Sequence, residues 1–188
     1  MNQGNDWTAI SPDLTQGGKE GNVAYGTLSS ISESPFQFGL IYTGSDDGLV
    51  QITKDSGASW NSIKGDWPAN LWVSRVVSSQ HKKERVYVTL NGYRFDDFTT
   101  YVYKSDDYGQ TWKSIGEALP TAPANVIIEH PKKGNILFVG TDNASYISTD
   151  TGATWELLNN GMPPVAVHDI KIPAFYTHLR AHETVLVL

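Results

Sequence analysis

The chain has 188 residues, 39% of them hydrophobic and 11% aromatic, with 17 Gly and 9 Pro, a composition of packed β structure broken by many turns and not of a disordered segment. A formal net charge of −6, with no basic clusters beyond Lys82-Lys83 and Lys132-Lys133, excludes the electrostatic footprint of a nucleic-acid binder. No apolar run approaches membrane-spanning length, Met1 is not followed by a signal-like segment, and the absence of cysteine removes disulfides, thiolate metal sites and cysteine nucleophiles.

In chain order, the first element is a short stretch at 7–11 that begins at Trp7, after Asn2-Gln3-Gly4-Asn5-Asp6. A long link at 12–26 leads to strands predicted at 27–33, 40–44 and 49–53. The last of these runs into Asp55-Ser56-Gly57-Ala58-Ser59-Trp60 and a short strand at 60–63. The pattern then repeats. Strands at 75–79, 85–90 and 100–104 precede Asp107-Tyr108-Gly109-Gln110-Thr111-Trp112 and a strand at 112–115. Strands at 124–129, 136–140 and 145–148 precede Asp150-Thr151-Gly152-Ala153-Thr154-Trp155 and a strand at 155–158. Another first strand is predicted at 166–172. The second strands are rich in the β-branched and aromatic residues that suit a pleated sheet.

The tryptophans recur at intervals of 53, 52 and 43 residues, a period that marks a repeat architecture. An Asp at the head of a turn accepts hydrogen bonds from amides further on, and Gly supplies the positive φ of a tight reversal. A hydroxyl two residues before each Asp, at Thr53, Ser105 and Ser148, adds a local bond, and the Trp buries its ring against the next unit. Asp55, Gly57, Trp60, Asp107, Gly109, Trp112, Asp150, Gly152 and Trp155 are therefore read as structural residues.

This motif resembles the Asp-box, or bacterial neuraminidase repeat, of sialidases, xyloglucanases and sortilin-type receptors. The stretches 7–14 and 167–170 are similar to large secreted bacterial propellers of the sortilin-like, glycosyl-hydrolase type. The resemblance implies an all-β fold: a β-propeller segment of about three four-stranded antiparallel blades, with the box between the third and fourth strands of each. Residues 1–11 would be the last strand of a preceding blade, 12–65 blade one, 66–118 blade two, 119–160 blade three and 161–173 the first strand of a following blade. Propellers close with about 4–8 blades, so the ring is expected to be incomplete and the chain an internal fragment whose partners include the remaining blades. Residues 176–184 are similar to a translated sequencing adapter, and 174–188 are read as an artefact of that kind. His178, Arg180, His182 and Glu183 then carry no functional weight. The alternative is a terminal strand at 184–188.

In an up-and-down blade the turn between strands two and three lies on the face opposite the boxes, together with the link to the next blade. That topology selects Asp46 and Asp47 in blade one, Tyr93, Arg94, Asp96 and Asp97 in blade two, and Asp142 and Asn143 in blade three as ligand-binding candidates. The link adds Asp13, Lys19, Glu20 and Tyr25. The blade-two loop exceeds its blade-one counterpart by seven residues and carries Arg, paired Asp and three aromatic rings. Either Phe95 and Phe98 tuck over the blade edge with the charges solvated, or the loop is a recognition element. Asp96 and Asp97 could act as acid and base only with a second carboxylate opposite, for which Asp46, Asp47 and Asp142 are the candidates.

His81 and His130 fall in turns on the box face, and His168, with Asp169, begins a would-be inner strand. No Ser-His-Asp set, metal-ligand spacing or phosphate-cradling loop can be assembled, so neither metal nor cofactor is expected. Arg75, Arg85 and Arg94 do not match the arginine triad of sialidases, and no Phe-Arg-Ile-Pro motif is present. Two functions remain open. One is a non-catalytic scaffold that binds a peptide, protein or glycan, and the other is part of a glycoside hydrolase of xyloglucanase or sialidase type. The resemblance implies an extracellular or periplasmic location.

Overall fold

A computed structural model describes residues 6–17, 25–158, 161, 163–172, 180–182 and 185–187. Among them there is no α-helix. Strands β1 (Leu28–Glu33), β2 (Ile41–Ser45), β3 (Val50–Thr53) and β4 (Asn61–Ser62) form one antiparallel sheet in that order. Strands β5 (Trp72–Ser78), β6 (Val86–Gly92), β7 (Asp97–Ser105) and β8 (Lys113–Ser114) form the second. The third contains β9 (Ala124–His130), β10 (Lys133–Thr141), β11 (Ser145–Ser148) and β12 (Glu156–Leu157). These are three successive propeller blades, and they do not close a ring. Beyond them β13 (Asp169–Lys171) pairs in parallel with β15 (Val185–Val187), which is antiparallel to β14 (Arg180–His182).

The blades pack face to face, so the middle sheet is covered on both sides. All seven residues of β6 are buried, which is why Val86-Tyr87-Val88-Thr89-Leu90 reads as an unbroken apolar run instead of an alternating one. One core cluster joins blades one and two through Leu40, Tyr42, Ile52, Trp67, Val73, Val76 and Leu90. Another joins blades two and three through Tyr87, Val102, Ile127, Leu137 and Val139. Val167 extends this packing: its amide donates to the Thr141 carbonyl at 2.9 Å and its side chain lies over Gly140.

The three turns between third and fourth strands are built identically. The Asp55 Oδ1 accepts the Ser59 amide at 2.9 Å and the Thr53 hydroxyl at 2.7 Å, while its Oδ2 accepts the Ser59 hydroxyl at 2.6 Å. Asp107 does the same with Thr111 and Ser105, and Asp150 with Thr154 and Ser148. Ser56-Gly57, Tyr108-Gly109 and Thr151-Gly152 are consecutive left-handed residues in each turn. The three indole N–H groups then reach one blade back. Trp60 donates to the Ile10 carbonyl at 3.0 Å, Trp112 to Ile63 at 3.2 Å and Trp155 to Ile115 at 2.7 Å.

Three expectations change. The three tryptophans are half-buried and not buried, because each ring lies on the seam with its N–H pointing to the neighbouring blade and one side left open. Residues 7–11 form no strand. Ile10 nevertheless occupies the position that Ile63 and Ile115 hold at the other two seams. Loop 91–98 is also less of a loop than the sequence implies: β6 and β7 extend into it, Gly92 pairs with Asp97, and only Tyr93–Phe95 form a 3-10 turn capped by left-handed Asp96. Lys19, Glu20, His178 and Glu183 lie outside the described residues, as does most of the first box, 2–5.

Candidate functional site

On the face opposite the Asp-headed turns, the β2–β3, β6–β7 and β10–β11 turns come together with the links that enter each blade. Asp47 is fully buried and belongs to the scaffold. It takes the Ser45 hydroxyl on Oδ1 and the Gln16 amide on Oδ2 at 2.6 Å, which ties the 12–17 segment to blade one. Asp46 is also buried. Its Oδ1 accepts the amides of Gly26 and Thr27 at 2.9 and 2.8 Å, and its Oδ2 lies 3.5 Å from the Arg94 guanidinium. Asp13 is turned inward on its own loop, where the Thr15 hydroxyl and amide hold its carboxyl below the ordinary carboxylate range.

Arg94 bridges blade one to the blade-two hairpin and lies over the Trp72 ring, its guanidinium carbon 5.6 Å from the ring centre. Asp97 is only partly available. Burial pushes its carboxyl up, but the amide and hydroxyl of Thr99 and the Tyr101 hydroxyl outweigh that and leave it below its ordinary value. A carboxylate held ionised in this way is a poor proton donor at neutral pH. Asp96 is exposed at the hairpin tip. Tyr93, Phe95 and Phe98 do not tuck over the blade edge. They stand out in solvent, and Tyr93 meets Phe98 edge to face at 6.1 Å between centroids.

Side chains from β5, β6, the Tyr93–Phe95 turn, β9, the β10–β11 turn and the segment before β13 meet in a cleft of about 230 Å³ lined by Trp72, Asn91, Tyr93, Arg94, Asn125, Asp142 and His168. Its floor is a chain of hydrogen bonds: Asn91 Nδ2 donates to Asn125 Oδ1 at 2.9 Å, and Asn125 Nδ2 donates to Asp142 Oδ1 at 2.7 Å. Beside it, Arg75 reaches from β5 to the His168 carbonyl and to Asp169, both at 3.3 Å, which fixes the segment carrying the His168 ring. The cleft thus brings together Tyr93, Arg94 and Asp142 of the expected set. It leaves Asp46 and Asp47 underneath as support, and Asn143, exposed on the β10–β11 turn, outside the lining. Trp72 and Asn125 were not singled out by the sequence, and Asn91 only as the first residue of the enlarged blade-two loop. The signal that could have found the two asparagines is an amide inside an otherwise apolar strand, where a buried polar group needs a partner.

Among the described residues no group of three or more His, Cys, Asp or Glu is placed to hold a metal ion. His81 and His130 lie on the opposite face, with a ring nitrogen of His81 2.8 Å from the His130 carbonyl. A second polar centre on that side is structural. Glu129 is buried and receives both the Ser79 and Tyr87 hydroxyls and the Gln80 amide, at 2.7–3.0 Å, across the seam between blades two and three.

No family model matches the chain. It is 25% identical over 154 residues to a xyloglucanase of Hypocrea jecorina, covering 81% of this chain and 17% of that protein. It is 36% identical over 67 residues to vacuolar protein sorting/targeting protein 10 of Laccaria bicolor, covering 35% of this chain and 4% of that one. The chain therefore spans less than a fifth of either relative's length. Among solved structures, the GH74 xyloglucanase of Xanthomonas campestris superposes with a TM-score of 0.57 at 15% identity, covering 73% of this chain and 24% of the enzyme. YCF48 bound to D1 peptide gives 0.55 at 16%, covering 74% and 43%. These likenesses show a β-propeller fold.

Proposed function

We propose that this chain is a section of an Asp-box β-propeller that acts as a non-catalytic scaffold, holding a peptide, protein or glycan in the cleft between Trp72, Arg94, Asn125, Asp142 and His168. The observation that carries the reading is the state of the carboxylates. Asp46 and Asp47 are buried under hydrogen bonds, Asp97 is held ionised by Thr99 and Tyr101, and Asp142 is bonded to Asn125. Among these four carboxylates no pair is left as a proton donor facing a general base, and Asp96 is exposed at the hairpin tip, which supports binding over hydrolysis. An aromatic wall, one cation and a row of amides suit a ligand with carbonyl or hydroxyl groups. That a propeller of this shape, YCF48, is known with a bound peptide is consistent with this role. The remaining blades of the ring would cover the open face of blade one, and an extracellular, periplasmic or luminal location accords with the likeness to a vacuolar sorting protein and to xyloglucanases.

The second reading, part of a glycoside hydrolase, rests on the xyloglucanase likenesses and needs carboxylates from outside this chain. Peptide and glycan arrays probed with wild type and with Trp72→Ala, Arg94→Ala and Asp142→Asn, paired with an assay on polysaccharides, test both. Each substitution is expected to weaken binding by roughly tenfold with little change in melting temperature. Binding that survives all three would remove the cleft from consideration, and polysaccharide hydrolysis abolished by an Asp96 or Asp97 substitution would make the protein an enzyme.

A further inference from the structure

A second groove, of about 310 Å³, lies on the outer half of blade two and shares no lining residue with the cleft. It is bounded by Thr99, Tyr101 and Tyr103 of β7, Ser114 of β8, and Gly116, Glu117, Leu119 and Thr121 of the following link. The Tyr101 and Tyr103 rings are 9° from parallel, with centroids 6.5 Å apart. Both are held from behind. The Tyr101 hydroxyl donates to Asp97 Oδ2 at 2.8 Å, and Tyr103 packs on Trp67 at 5.1 Å, which in turn meets Trp112 edge to face. The opposite wall is pinned by Thr100, whose hydroxyl accepts the Ala122 amide at 2.9 Å. The groove is therefore preorganised, and a ligand entering it orders few side chains.

Its charge has one sign. Glu117 is exposed and forms no ion pair among the described residues, while burial first, and then Tyr101, Asp66 and Glu117, raise the Tyr103 phenol. No Lys or Arg lines the groove. Lys104 and Lys113, its nearest cations in sequence, pair with each other across β7 and β8 and so lie on the other face of the sheet from Tyr103 and Ser114. Parallel phenol faces beside an unpaired carboxylate favour a cation, by ring quadrupole and by Coulomb attraction together.

We propose that this groove binds the cationic side chain of a basic peptide segment, with Tyr101 and Tyr103 on the faces of its guanidinium or ammonium group and Glu117 as its counter-charge. The inference does not depend on what occupies the cleft. Calorimetric titration of the full chain with the pentapeptide acetyl-Gly-Gly-Arg-Gly-Gly-amide, with its neutral citrulline counterpart and with cellotetraose, tests it. The arginine peptide is expected to bind in the millimolar range, and the citrulline peptide at least about threefold more weakly. Glu117→Gln and Tyr101→Leu should each cost about two- to tenfold in affinity. Glu156→Gln, an exposed carboxylate on β12, should cost nothing. Equal affinity for citrulline, an equal loss in Glu156→Gln, or no saturable binding up to about 10 mM would overturn the proposal. Cellotetraose binding that is lost in Tyr101→Leu would overturn it too, by assigning the groove to a neutral polyol.

Discussion

Asp55, Asp107 and Asp150 are each lowered to about 2, first by the hydroxyl of Ser59, Thr111 or Thr154 and then by the amide of the same residue. In the unfolded chain each returns to about 4. Because the folded value is the lower one, the turns contribute stability above about pH 4, and that contribution is lost as the pH falls towards 2. Thermal melts followed by circular dichroism should therefore show Asp107→Ala melting well below wild type at pH 6, with the gap narrowing towards pH 2. A gap independent of pH would mean that the carboxylate charge is not what matters. Gly109 is subject to a second constraint: its φ is +85°, and an added Cβ would fall 2.6 Å from Ile63 Cδ1 of the preceding blade. Gly109→Ala is expected to cost roughly 1–3 kcal/mol in denaturant unfolding, from backbone strain and crowding combined.

The repeated element is the seam, and a tryptophan closes each one. Full burial of Trp112 would make its truncation cost about 3–5 kcal/mol, but the ring is only half-buried, so Trp112→Ala is expected at about 2–3 kcal/mol. Its indole bond to Ile63 joins blades one and two, so the loss should appear as weaker coupling between blades. The blade-two hairpin divides into two kinds of residue. Asp97 positions Tyr101 and Thr99, so Asp97→Ala should lower the melting temperature. The Asp96 side chain is exposed at the tip and its backbone is left-handed, a conformation Asn tolerates as well as Asp, so Asp96→Asn should leave the melting temperature unchanged. If the two variants melted alike, the hairpin would carry no such division.

Across the whole molecule, equivalent positions have unequal surroundings. Ile31 of β1, Val76 of β5 and Ile127 of β9 face Thr43, Val88 and Val139 in the same register, yet they are 70%, 1% and 0% exposed. Val76 and Ile127 are covered by the preceding blade, whereas on β1 of blade one both Ile31 and Leu28 are exposed among the described residues. Exposed apolar side chains on a first strand that is covered in the other two blades favour association. Preparations of this chain should therefore sediment as oligomers or aggregates, and Ile31→Asp should shift them towards monomer. A monodisperse wild-type chain that unfolds cooperatively would show that the face needs no cover.

The Asp-headed turns, the order of the strands and the three-blade arrangement were legible in the sequence, because each depends on interactions within a few residues and each is written three times. The four-residue span from Asp to Thr and the alternation of β3, β7 and β11 need no distant partner to be recognised. The candidate site was legible only by face. Topology put Asp46, Asp47, Asp142 and the 91–98 hairpin on one side, but tertiary structure decided that the two blade-one aspartates are buried supports while Arg94, Trp72, Asn91, Asn125 and His168 share a cleft. Those residues lie far apart in the chain and meet only when blades stack. The same holds for Ile31 and Val76: a strand's own pattern marks both as inward-facing, and only the presence or absence of a neighbouring blade determines which of them is covered.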